Sequence, residues 1–204
     1  MEKVIHYYDL GLYKGGEIEI FINICIQNNW DYRVYGVEAH PEYARALHNK
    51  YIDNPKVNIF NYAISSKQEK VKLYLAPNNG GEGNSIYRTK NNVIDDHYEI
   101  QGILFSDMLD NYPNFKNQFN ILKFNIEGAE WPLMNNLIDN GLHRYFNIIC
   151  GAGTDIPKVE ELKPYLNQYN KLLEDNKIKM YRFVDVNPQN NDNIENLIKT
   201  QLNN

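Results

Sequence analysis

Cysteine is almost missing: Cys25 and Cys150 are the two in 204 residues. A disulfide framework is therefore not indicated, and each thiol is expected to pack as a small apolar group in a reducing compartment. Long hydrophobic runs are missing as well, and nothing reaches the roughly 18 apolar residues of a helical membrane span. Met1-Glu2-Lys3 leads straight into a strand-like segment instead of a secretory leader, so a soluble cytoplasmic protein is expected. There is no Lys/Arg block. With 21 Lys and Arg against 26 Asp and Glu the net charge is -5, which argues against a protein held mainly by nucleic-acid phosphates. Two phosphate-cradling signatures, GxGxxG and a P-loop ending in GKS/T, are also lacking, which counts against a dehydrogenase and a Walker-type NTPase.

The residues that are present describe one globular domain. The chain is 43% hydrophobic, and a domain of this length buries about 70% of the surface its unfolded form exposes. Asparagine is abundant, 31 of 204, but its tracts never exceed two residues and leave the apolar pattern intact. Val4 to Tyr8 reads as a strand, stopped at Asp9-Leu10-Gly11, and Ile18 to Trp30 has helical spacing. Arg33 to Val37 reads as a second strand closed by Glu38, followed by a helix with Pro41 in its first turn, and Val57 to Tyr62 as a third strand. Two βα repeats in some sixty residues predict a parallel sheet.

The middle breaks that rhythm. Val71 to Leu75 alternates like an edge or antiparallel strand, and Tyr98 to Leu104 reads as another short strand, with a glycine-rich loop between them. Further elements are a helix from about Ser106, strands over Asn120 to Ile126 and Phe146 to Cys150, a helix from Trp131 to Ile138, a long helix from Val159 to Glu174 and a strand from Lys179 to Val186. The fold class is α/β, doubly wound and mostly parallel, with helices on both faces. Residues 1–186 form the domain, and 187–204 a polar tail, docked through Ile194, Leu197 and Ile198 or frayed. Ligands of such sheets gather beyond the carboxyl ends of the strands. That puts Asp9, Glu38, Asn61, Asn125 and Gly151 on one rim.

The corner Asp9-Leu10-Gly11-Leu12-Tyr13-Lys14-Gly15 places glycines where a side chain would hold a ligand off the backbone. Its carboxylate suits a cationic amino group better than a pyrophosphate. Glu38 can accept both hydroxyls of a ribose. Adenosine joined to an amino-acid-like cation describes S-adenosylmethionine. The alternative is structural: Gly11 and Gly15 permit close packing, and Glu38 caps the next helix.

Further segments carry a resemblance: Gly36-Val37-Glu38-Ala39-His40-Pro41, Ala63-Ile64-Ser65, Gly83-Asn84-Ser85 and Lys123-Phe124-Asn125-Ile126-Glu127-Gly128-Ala129-Glu130. With the Asp9 corner they resemble the DxGxxxG, GxEPxP, AxS, glycine-serine and KIDxEGAE motifs of FkbM-type class I methyltransferases, over roughly residues 7 to 140. The resemblance implies a Rossmann-like fold and methyl transfer from S-adenosylmethionine to a hydroxyl, commonly on a sugar such as rhamnose or another deoxyhexose. By it Asp9, Gly11 and Gly15, with Tyr13 between them, would hold the methionine portion. Glu38 and the adjacent Ala39 would hold the ribose, and Asn61 to Ala63 the adenine, with Ser85 and Asn125 completing the cofactor set. Asn125 replaces an Asp of the pattern and Ala39 a Pro. An amide in place of a hard anionic ligand disfavours a divalent metal, so no metal ligands are assigned.

A sugar hydroxyl is a weak acid and needs a base or a positive centre beside it. Glu127 and Glu130, three apart, are the leading pair, and Glu127 is the choice if only one acts. Acidic residues opening a helix also have a structural role there. Lys123, in an apolar strand, needs a partner, and Glu127 or another rim carboxylate would serve. His97 is the histidine best placed as a base or donor beyond the glycine loop. The loop from Asn79 to Arg88, with Tyr87 and Arg88, and Asp155 after the fifth strand, are the expected substrate contacts along with Lys123. Two other readings stay open: a nucleic-acid ribose or protein side chain as acceptor, and a non-catalytic partner domain. Two further expectations are a domain taken from a longer protein, and a minimal homo-oligomeric enzyme that uses another subunit as its lid.

Overall fold

Alternate residues of the first strand feed two different cores. In the computed structural model, which describes residues 4–77, 82–112, 114–151, 153–183 and 194–203, β1 (Ile5–Leu10) is buried at every position. Ile5 and Tyr7 pack on one face with Ile18, Phe21, Val34 and Ile121, while Tyr8 and Leu10 pack on the other with Tyr35, Phe105, Leu122 and Leu133. The period of two along a strand sends neighbours to opposite faces, and a sheet covered on both faces must be apolar on both.

The central sheet is parallel, in the order β3 (Val57–Phe60), β2 (Tyr32–Val37), β1, β7 (Phe119–Phe124), β8 (Ile148–Cys150) and β9 (Met180–Tyr181). Helices α1 (Gly16–Gln27) and α2 (Pro41–Lys50) cover one face through Ile18, Phe21, Cys25 and Leu47. On the other lie α3 (Phe105–Asp110), α4 (Glu130–Asp139) and α5 (Leu166–Asp175), through Phe105, Leu133, Leu137 and Tyr169. This is the doubly wound Rossmann-like arrangement, and the chain reverses direction across the sheet between β1 and β7, the position where such folds open a ligand crevice.

The middle segment forms a sheet of its own. β6 (His97–Ile103) pairs in parallel with β4 (Ala63–Ile64) and antiparallel with β5 (Lys70–Tyr74). The excursion between β5 and β6 turns back over the β7–α4 corner; its Asn79, Gly80 and Gly81 lie outside the described residues.

Two expected elements differ. The helix expected over Val159 to Glu174 is a 3-10 segment at Glu160–Tyr165 followed by α5, because Pro164 lacks the N–H and crowds the preceding turn. The final strand is the two residues of β9, and the domain boundary expected at 186 lies outside the described residues. A last helix, α6 (Ile194–Leu202), buries Ile194 and Ile198 in the α1 core, and Asn28 donates to Glu195 at 3.0 Å. None of the described helices is long and apolar enough to cross a membrane.

Candidate active site

The strand ends of β1, β2 and β7 open into a cavity of about 440 Å³. Its floor is Gly11, Leu12, Glu38, Lys123 and Asn125, and the small sheet and the excursion add Tyr62, Ala63, Leu73, Gly83 and Ile86. Of the rim expected from the sequence, Glu38 and Asn125 line this cavity, whereas Asp9, Asn61 and Gly151 do not.

Glu38, just past β2, lines the cavity and is 7% exposed. Its Oε2 accepts from the Tyr13 backbone N–H at 2.7 Å and its Oε1 from that of His40 at 2.7 Å. A carboxylate offers about four acceptor positions, so these bonds do not exhaust it. Burial raises its pKa, and the backbone donors of His40, Tyr13 and Leu12 pull the other way. Tyr13 reaches Glu38 because it sits in the left-handed region at φ +51°, inside the glycine corner. Gly11, at φ +89°, is required there: a Cβ would overlap the Asn125 carbonyl oxygen, where the β1 and β7 turns touch.

Asp9 is not on the lining. It is wholly buried, with Lys123 Nζ 2.9 Å from Oδ1 and the Tyr7 hydroxyl donating to Oδ2 at 3.1 Å. Burial and the nearby Glu17 charge raise its carboxyl, and Lys123 opposes them. Lys123 also pairs with Glu17 and donates to Gly11 O at 3.1 Å. The partner expected for Lys123 was Glu127 or another rim carboxylate: it does not meet Glu127, but it meets Asp9, one of the acids expected on the rim, together with Glu17. Register explains this, since Asp9 faces Lys123 across the β1–β7 pair.

Glu127 and Glu130 part company. Glu127 lies before α4 at φ +56°, so the three-residue helical spacing does not apply to it. Its carboxylate lines the cavity, and Lys90 Nζ lies 2.6 Å from Oε2. Burial raises its pKa and Lys90 pulls it back. Glu130 is fully buried behind it, accepting from the backbone N–H groups of Ile126 at 3.2 Å and Gly128 at 2.8 Å. Burial pushes its carboxyl up to about 7 against those donors. Glu130 thus closes the turn that presents Glu127. Glu130→Ala is expected to cost about 2–4 kcal/mol, because two buried N–H groups lose a charged acceptor. Urea unfolding checks it, and a loss under about 1 kcal/mol would remove that role.

The remaining expected residues divide as clearly. Gly11, Tyr13, Ala39, Ala63 and Asn125 line the cavity. Gly15, at φ +77°, caps α1 behind it, and Asn61 lies outside, its amide donating to the carbonyls of Glu38 at 2.8 Å and Ala39 at 3.0 Å. Ser85 is buried, and its Oγ donates to Glu127 O at 2.6 Å. Tyr87 packs over Gly128 and into the core. Arg88 is drawn outward by Asp95, and Asp155 pairs with Lys158 at 2.8 Å. His97 is not brought to the cavity: it opens β6, its ring 5.6 Å from that of Tyr74, with Nδ1 2.9 Å from Asp95 O. An antiparallel pairing that the sequence left open carries it away. Lys90, which the sequence reading passed over, stands in a polar stretch with no signal of its burial.

The donor set fits S-adenosylmethionine. The lining carries Glu17, Glu38, Glu82 and Glu127 against Lys14 and Lys123, and with Asp9 and Lys90 paired just behind it the acids still outnumber the lysines, so the walls favour a cation. At Gly16, on the lining where α1 begins, a Cβ would meet nothing within 4 Å, so the helix start is open to a ligand. Among the described residues no group of three or more His, Cys, Asp or Glu is disposed to hold a metal. The family model described as the methyltransferase FkbM domain matches residues 9–174. No curated protein matches, and no solved structure does.

Proposed function

The chain belongs to the methyltransferase FkbM domain family, whose members are S-adenosylmethionine-dependent O-methyltransferases, and from that premise we propose that it methylates a sugar hydroxyl. The observation that carries this reading is that Glu38 and Glu127 line one cavity. Glu38 would accept the ribose hydroxyls, with Ala39 and Ala63 beside the adenosine and the start of α1 at Gly16 facing the methionine end. When bound, S-adenosylmethionine supplies an activated methyl group. Glu127 would take the acceptor proton at Oε1, as Lys90 occupies Oε2.

The acidic lining supports a neutral acceptor over a polyanionic nucleic acid. Leu73, Ile86 and Ile126 give the cavity apolar patches that suit a deoxyhexose methyl better than a hydroxymethyl group. We therefore place rhamnose-like glycosides ahead of hexosides, which a mass-shift assay on both panels would test.

The cofactor site has its own test. S-adenosylhomocysteine is expected to bind in calorimetry, and Glu38→Gln to weaken it about 10–100-fold, the worth of charge-assisted hydrogen bonds. No binding heat from the folded wild-type protein would sink the reading.

A further inference from the structure

Lysine is among the side chains least often found fully buried, yet that of Lys90 is 1% exposed. Its ammonium has three N–H groups, and each has an acceptor on this chain: Gly83 O at 2.9 Å, Asn92 Oδ1 at 2.8 Å and Glu127 Oε2 at 2.6 Å. None is left for a substrate, so any influence on chemistry must pass through Glu127. The backbone around Lys90 is fixed as well: Lys90 bridges Val159, and Asn91 N donates to Lys158 O at 3.1 Å. The same excursion supplies Ser85, whose hydroxyl holds the Glu127 carbonyl oxygen. Glu127 is thus gripped at its backbone and its carboxylate while in a left-handed conformation that residues with a side chain adopt uncommonly.

We propose that Lys90 is a positioning residue for methyl transfer, holding the Glu127 carboxylate as an anion with one oxygen turned to the cavity. This rests on the reading of Glu127 as the proton acceptor. The charged groups around Glu127 are Lys90 from the excursion, Asp155 and Lys158 from the turn after β8, and Glu130 from α4. Glu130 is turned onto backbone N–H groups, and Lys158 is paired with Asp155, which leaves Lys90 as the cation in direct contact. Burial drives Glu127 toward protonation, and loss of Lys90 removes the main force opposing it.

The test is a carbon-13 NMR titration of the glutamate carboxyls, the Glu127 signal being assigned with Glu127→Gln. In Lys90→Met and Lys90→Gln its midpoint is expected to rise by about one pH unit or more. The acid limb of kcat/KM moves with it, about tenfold in rate per unit at pH values below the limb. Affinity for S-adenosylhomocysteine stays within about threefold of wild type, because Lys90 is off the cavity lining. Lys90→Gln keeps a neutral donor for Gly83 and Asn92, so it gives the answer if the Met variant fails to fold. An unmoved midpoint, or a loss of turnover equal at every pH, would overturn the role of Lys90. Wild-type turnover by Glu127→Gln would overturn the base assignment instead.

Discussion

Glu127→Gln is expected to lower kcat about 10²–10⁴-fold while leaving the affinity for S-adenosylhomocysteine near that of wild type. Gln keeps the shape and one acceptor oxygen for Lys90, so the cavity wall survives, but it cannot take a proton from a hydroxyl. The loss belongs in kcat, since a proton acceptor acts as the acceptor oxygen develops charge, not when substrate binds. The wild-type profile has an acid limb, because protonated Glu127 is inactive. Burial raises this group in the free protein, so the acid limb of kcat/KM lies above the group's ordinary value. In Glu127→Gln the limb disappears. Steady-state kinetics across pH with a turned-over glycoside, alongside calorimetry, checks both points. A retained limb would assign proton removal to another group.

Lys123→Met is expected to destabilise the fold by about 3–5 kcal/mol. The lysine is 4% exposed and lies between Asp9 and Glu17; without it a fully buried carboxylate has only the Tyr7 hydroxyl as a side-chain partner. At about 2–4 °C per kcal/mol for a chain of this size, Tm falls by roughly 6–20 °C. The pH dependence has a definite sign. Asp9 has a raised pKa in the folded state, so over the window between its unfolded and folded values the folded form binds more protons than the unfolded. Its unfavourable contribution therefore grows as pH rises through that window, and losing Lys123 widens the window upward. The gap between variant and wild type should be largest near neutral pH and narrow on acidification. Thermal unfolding at several pH values measures it; a gap independent of pH would mean that Asp9 is not the group left uncompensated.

Legibility of the site followed the range of the interactions involved. The place of Glu38 on the cavity was readable because it follows a strand in a βα unit, and Gly11 because a φ of +89° admits little else. Asp9 was readable as a strand-end acid, yet its environment was not: the Lys123 that claims it comes from a strand 114 residues later. Glu130 looked like a second base from its spacing, whereas the turn it closes consumes both its oxygens. His97 was placed by its nearness in sequence to the glycine loop, and β5–β6 pairing carried it off the cavity.

From its sequence alone this chain fixed the order of βα units, the glycine corner, the acid after β2 and the Glu-Gly-Ala-Glu turn. Each of these is set by hydrophobic period or by backbone conformation within a few residues. Which carboxylate faces the cavity and which is neutralised behind it was decided only by tertiary structure. Lys90 meets Glu127 across 37 residues and Lys123 meets Asp9 across 114, and such pairs form only when packing removes both partners from water and leaves each the other's nearest counter-charge.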